Sequence, residues 1–179
     1  MHNRLFIIVI FTIICLALGL NALGDNSQSK VSELKAAFLF NFAKFVQWPS
    51  DESDGNDTTF VIGIIGDNPF EGRLKSIIEG RRIRKQKVKV LEVNDYDSLE
   101  TCNILFISSS DNNEFNEIIK VIADKPVLTV GEQAGFTKAG GIVNFYLKDN
   151  MVRFKINVKA AAKANLNISS KLLKLAELE

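Results

Sequence analysis

The chain has 179 residues with 22 basic and 21 acidic side chains, a formal charge of +1, one histidine and two cysteines. So even a balance gives no electrostatic handle for nucleic acid or for an anionic membrane surface. Histidine-based nucleophilic schemes and histidine zinc sites are excluded too, because the one histidine, His2, falls in a segment that does not belong to the fold.

That segment is residues 1–24. Arg4 precedes an apolar run of 16 residues, Leu5 to Leu20, and Ala22 and Gly24 are small residues where a signal peptidase reads. The run is shorter than the roughly 20 residues that cross a bilayer, so a cleaved secretory signal and a periplasmic destination are expected. Residues 25–30 read as a linker and 31–179 as a single domain, long enough for a real core. Without the leader, 21 basic residues balance 21 acidic ones and Cys102 is the sole cysteine, so no internal disulfide can form although export would permit one. Beside the apolar run Ile104 to Ile107, Cys102 reads as a small buried side chain, with reactivity or intermolecular pairing as the alternative.

The first element is KAAFLFNFAKFVQWP, Lys35 to Pro49, which holds four phenylalanines and the only tryptophan. At 100° per residue Glu33, Asn41, Lys44 and Gln47 share one polar arc, and the rest is apolar apart from Lys35. The spacing predicts a helix buried on most sides, capped by Ser32 and ending at Trp48, since the residue before a proline leaves the helical region. Phe40 lies inside the polar arc. A loop of the same chain or another protein must cover it, and an interface is the reading preferred here.

Ser50 to Thr58 is a polar surface loop. Beyond it, strands are expected at Phe60–Ile65, Val88–Val93, Ile104–Ile107 and Val127–Val130, with helices at Phe70–Glu79 and after Ser108–Asp111. Alternation of strand and helix implies an α/β domain with a partly parallel, mixed sheet and flanking helices. Six basic residues fall within nine positions, Arg81 to Lys89. They read as an edge strand or loop guarded by charge, the alternative being a phosphate site. Ile142 to Val158 reads as a β-hairpin in the C-terminal half, turning at Asp149-Asn150. Its register pairs Leu147 with Val152, Phe145 with Phe154 and Val143 with Ile156 on an apolar face, and Tyr146 with Arg153 and Asn144 with Lys155 on the other. Gly140-Gly141 before it implies a tight turn or close backbone approach. Ser169 to Leu178 is predicted to be a capped helix.

Ligands of open α/β sheets bind beyond the carboxyl ends of strands. Three such ends supply crevice candidates: Asp67 and Asn68, Ser108 and Ser109, and Glu132. Ordinary turn capping competes with that reading. Gly63 to Gly66, GIIG, lacks the third glycine of a dinucleotide fingerprint. No catalytic set, metal site or cofactor motif emerges. The contact surface expected for a partner comprises Phe40, Trp48, Tyr146, Arg153 and Lys155, and Phe40→Glu is expected to break binding while sparing the fold.

Taken in order, KAAFLFNFAKFVQWP, IGDNPF, CNILFIS, PVLTV and the long block from Gly135 to Ala176 resemble the YfiR family of periplasmic proteins over nearly the whole mature chain. The resemblance implies an exported α/β regulator without catalysis. Such a protein binds the periplasmic region of an inner-membrane sensor or diguanylate cyclase and restrains cyclic-di-GMP synthesis, exopolysaccharide and biofilm formation; homodimers are usual in the family. Two positions depart from it. Relatives often carry a cysteine near the first strand that pairs with the one at Cys102, where this chain has Phe60-Val61, and the strand commonly reading RFEIN has Lys155 at its third position. A small-ligand binding module using the three strand ends is the second hypothesis.

Overall fold

The computed structural model describes residues 27–49, 59–108 and 111–179. The leader, the loop 50–58 and Ser109 lie outside the described residues.

Helix α1 occupies residues 27–45. Residues 27–30 of the expected linker are therefore helical, and Ser32, 5% exposed, is buried within the helix instead of capping it. The extension has tertiary ties: Val31 packs against the apolar layer and Ser29 Oγ accepts from Arg73 Nη2 at 2.9 Å, and such contacts hold a helix further than its local signals suggest. At the other end the helix stops at Phe45, short of Trp48. Val46–Gln47 forms β1, which pairs antiparallel with Asn167–Ile168, β9, far along the chain. Pro49 biases Trp48 out of the helical region, and this distant partner takes two more residues from the helix.

The main sheet is built from Thr59–Gly66 (β2), Arg82–Ile83 (β3), Gln86–Val93 (β4), Ile104–Ser108 (β5), Leu128–Gly131 (β6), Val143–Lys148 (β7), Met151–Ile156 (β8) and Glu177–Leu178 (β10). Their spatial order is β10-β8-β7-β6-β5-β2-β4-β3. From β7 through β4 all neighbours run parallel; β8 returns antiparallel to β7, β3 antiparallel to β4, and β10 lies parallel to β8. The intervening helices are Arg73–Ile78 (α2), Asn112–Ile122 (α3), Val158–Lys163 (α4) and Ser170–Leu173 (α5). The domain is thus a mixed α/β sheet with flanking helices, as the alternating pattern predicts.

Two apolar layers sandwich the sheet. One joins α1, α2, α4 and α5 to the inward residues Phe60, Ile62, Ile64, Ile104, Phe106, Phe145 and Phe154. The other places Phe115, Ile118, Ile119 and Ile122 of α3 against Val61, Ile65, Leu105 and Ile107. Cys102 belongs to this second layer, 3% exposed, and a Cβ at Gly63 would lie 2.4 Å from its Sγ. Only a glycine lets strand and thiol approach so closely. Burial pushes the thiol pKa up, so Cys102 is a packing residue with little thiolate.

The β7–β8 hairpin has the predicted register at every pair from Val143↔Ile156 to Lys148↔Met151. Asp149 and Asn150, at φ 51° and 59°, make the two-residue turn whose twist suits a hairpin. The Gly140-Gly141 expectation also holds: a Cβ on Gly141 would sit 2.1 Å from the ring of Phe136, which plugs the connection from β6 to β7.

Three expectations are corrected. Ser169 does cap a helix, accepting from the Leu172 amide, but α5 ends at Leu173 and the chain continues as β10. Leu175, within the stretch expected to be helical, is 70% exposed. The helical spacing was real but too short to stand alone, and pairing with β8 claimed the residues after it. Phe40 is only 3% exposed, buried by this chain itself, with Lys44 Nζ 4.4 Å and Arg81 Cζ 5.2 Å from its ring centre. The polar arc misleads because the Lys44 ammonium and the Arg81 guanidinium lie over the ring as cations on an aromatic face. Trp48, also 3% exposed, stacks edge-on against Phe60 at 5.1 Å and donates its indole N–H to the Asn103 carbonyl at 3.2 Å. Neither aromatic is an open contact surface.

Phe40→Ala should therefore cost about 3–5 kcal/mol of folding stability, the usual range for a buried phenylalanine. Urea denaturation measures it, and a loss below about 1 kcal/mol would show that the ring is not core.

Candidate functional site

The uncovered part of the sheet is the face of β7, β8 and β10 opposite α1. Period-two alternation sends Phe145, Phe154 and Ile156 into the core and leaves Tyr146, Arg153 and Lys155 on the other side, where α3 does not reach. Glu177 of β10 is paired in register with Lys155 and gathers this group. Its Oε1 accepts an ion pair from Lys155 Nζ at 2.9 Å, and its Oε2 accepts the Tyr146 hydroxyl at 2.9 Å. Lys155 Nζ also lies 5.6 Å from the Tyr146 ring centre. Among the described residues Arg153 has no ion pair; its Nη2 lies 4.0 Å from Met151 Sδ, and its side chain is exposed on this face.

The electrostatics follow from these contacts. The hydrogen bonds from Lys155 and Tyr146 hold the Glu177 carboxyl below the usual glutamate range. The Glu177 partner raises Lys155, while desolvation followed by the same carboxylate raises the Tyr146 phenol. Three of the residues expected to form a contact surface are thus brought together, and Glu177, which the sequence reading placed inside a helix, joins them. The signal that could have found it is the alternation of Glu177 and Leu178 against Lys155 and Ile156, but two residues are too few to distinguish a strand.

The crevice residues are arranged differently. The ends of β2, β5 and β6 do lie side by side, with Gly66 opposite Ser108 and Ile107 opposite Gly131. Asn68 and Glu132 nevertheless turn to separate partners. Asn68 Oδ1 accepts from the Phe70 amide at 3.0 Å, which is turn capping, and its Nδ2 donates to Glu92 of β4 at 3.1 Å. Asp67 is exposed, and Ser108 is partly exposed. Glu132 turns to α1, where Lys35, the one charged residue of its apolar side, donates to it.

That ion pair lies in a groove of 400 Å³ between α1 and β7, lined among others by Val31, Lys35, Glu132, Gln133, Tyr146 and Leu147. Asn144 Nδ2 seals its floor with bonds to the carbonyls of Gly131, Gln133 and Phe145 at 3.1–3.3 Å. Gln133 Oε1 is buried without a partner among the described residues. No group of histidine, cysteine, aspartate or glutamate side chains that could hold a metal occurs among the described residues. No described helix is long and apolar enough to cross a membrane.

The architecture defines a single mixed α/β domain that shields both faces of its central strands and leaves the hairpin end of the sheet open on one side. Residues 32–177 match the family model described as YfiR/HmsC-like, and the chain belongs to that family. It is a regulatory family of periplasmic proteins, with a place in cyclic-di-GMP signalling. Among solved structures the chain is similar to an ABC domain in complex with L-Trp from Streptococcus pneumonia, at 10% identity and TM-score 0.46. It is also similar to a conserved domain protein from Vibrio cholerae O1 biovar El Tor, at 11% identity and TM-score 0.45. In each case 66% of this chain matches 54% of the other, so it spans about half the length of these neighbours.

The ionic tether of β10 has a defined pH window. Glu177 has a depressed folded pKa, so its contribution is present above the ordinary glutamate range and lost as pH falls through the folded value. Lys155 and Tyr146 have raised folded values, so theirs is present below the ordinary lysine and tyrosine ranges and lost as pH rises through the folded values. Amide exchange at Glu179, whose N–H donates to the Ile156 carbonyl at 3.0 Å, should speed up relative to the core at acid pH and in Glu177→Gln, with little change in Tm. Unchanged protection in Glu177→Gln would show that side-chain contacts do not hold β10.

Proposed function

We propose that this protein is an exported regulator that controls an inner-membrane sensor or diguanylate cyclase by protein contact, through the face carrying Tyr146, Arg153 and Lys155. The single observation that supports the reading most is the open guanidinium of Arg153 on an uncovered strand, beside an aromatic already oriented by Glu177. Arginine and tyrosine are the side chains that contribute most when such a surface is desolvated by a partner. The apolar rim helps: Leu147 and Met151 at the hairpin tip are 55% and 50% exposed. Lys155 gives this face a different charge from the relatives whose strand reads RFEIN, so the partner contacted carries a complementary change.

Cells lacking the protein should contain more cyclic-di-GMP, and the wild-type gene should restore the lower level. The Arg153→Glu variant should fold with an unchanged Tm yet fail to restore it, weakening recovery of the membrane partner at least tenfold. Full complementation by Arg153→Glu, or an unchanged nucleotide level in the deletion, would overturn the reading.

A second reading, a small polar ligand in the α1–β7 groove, is favoured by the unpartnered Gln133 Oε1. A ligand donating an N–H or O–H to that oxygen should raise Tm in a panel of amino acids, nucleotides and sugars, and Gln133→Leu should abolish the shift. No shift with any compound at millimolar concentration would remove this alternative.

A further inference from the structure

The other end of the sheet has an edge that the fold leaves unfinished. Strand β4 runs eight residues, Gln86–Val93, but β3 covers only two of them, through Arg82↔Lys87 and Ile83↔Gln86. The hairpin between them is tight, with Arg84 and Lys85 at φ 47° and 73°. Arg81 then leaves the sheet to lie over the Phe40 ring, so β3 ends before it can shield its neighbour. Over Val88–Val93, alternate residues turn their backbone N–H and C=O outward with no strand beside them among the described residues. Six residues at about 3.3 Å each give an open edge of roughly 20 Å.

This edge is rigid. On its inner side β4 is locked to β2 through seven consecutive register pairs, Thr59↔Lys87 to Ile65↔Val93. Val88 and Val90 pack against one apolar layer, Leu91 and Val93 against the other. An incoming chain would therefore meet a preformed template and lose only its own freedom.

The side chains restrict what can pair there. Lys87 and Lys89 project, exposed, from one face, and Lys85 adds a third cation at the turn. No acidic partner is bonded to any of the three among the described residues. Glu92, the one acid of the strand, accepts a bond from Asn68. On the opposite face Val88 and Val90 leave apolar surface partly open. Lysines on an edge repel a second copy of the same edge, which blocks self-association. The same lysines attract a strand with carboxylates at every second position, whose alternate apolar side chains would lie beside Val88 and Val90.

We propose that the β4 edge is a docking site for an extended segment of another protein that alternates acidic and apolar residues and adds to the sheet as a further strand. The site lies at the opposite end of the sheet from Arg153, so its test is independent of the regulatory contact proposed above.

The probe is a blocked heptapeptide alternating glutamate and valine, added to the full chain, with a lysine–valine heptapeptide as comparison. Hydrogen exchange read by mass spectrometry should slow at least tenfold within Gln86–Val93 with the glutamate peptide, and not with the lysine peptide. The Lys87→Glu/Lys89→Glu variant, folded with an unchanged Tm, should reverse that preference. Methylating alternate backbone nitrogens of the glutamate peptide should abolish protection, because strand pairing needs those N–H groups. No protection within Gln86–Val93 at millimolar peptide overturns the proposal. So does equal protection by both peptides, a preference that survives charge reversal, or retention of protection by the methylated peptide.

Discussion

The domain depends on one cluster of four aromatic rings. Phe38 and Phe42, one helical turn apart on α1, meet Phe145 and Phe154, directly opposite each other on the β7–β8 hairpin, with ring centres 5.2–6.0 Å apart. Two periodicities have to agree for this to happen, 3.6 residues per turn on the helix and two per repeat on the strands. The cluster joins the first described element to one built more than a hundred residues later. It closes the apolar layer beneath α1, and it fixes which face of the hairpin is buried.

The open surface follows from that choice. With Phe145 and Phe154 committed to α1, the residues between them in the alternation must face away, and Tyr146, Arg153 and Lys155 share one side. A helix could have covered them. Instead α3 spans the central strands, and α4 and α5 lie with α1 on the first face. The charged ribbon is stabilised laterally by β10, whose Glu177 satisfies Lys155 and Tyr146 while leaving Arg153 uncommitted. Among the described residues the sheet thus carries acidic–basic pairing at one end and lysines without an acidic partner at the other, with a sealed hydrophobic centre between them.

How much could be read beforehand depends on the range of the interaction. The hairpin register was legible because three apolar pairs had to face one another across a two-residue turn, and a slip by one would have exposed all of them. The charge-guarded edge was legible because six cations in nine positions have few other uses in a strand. The burial of Phe40 and Trp48 was not legible for a related reason: Arg81, which joins Lys44 over one ring, and Asn103, which accepts from the other, come from elsewhere in the chain, and helical spacing carries no trace of them. The same holds for Lys35 and Glu132, separated by 97 residues and joined only in the fold. Elements of two residues, β1, β3, β9 and β10, exist solely through their partners.

The amino-acid sequence by itself determined the composition of the protein's chemistry, the alternating α/β pattern and the hairpin with its two unlike faces. These rest on side-chain type and on spacings within about ten residues, which any window of the chain contains. Only the tertiary structure decided where α1 begins and ends, which aromatics are buried, that Glu177 sits against Lys155, and that β4 keeps an open edge. Each of these is settled by which distant segment arrives to bury a surface or satisfy a backbone group, and that competition has no local signature.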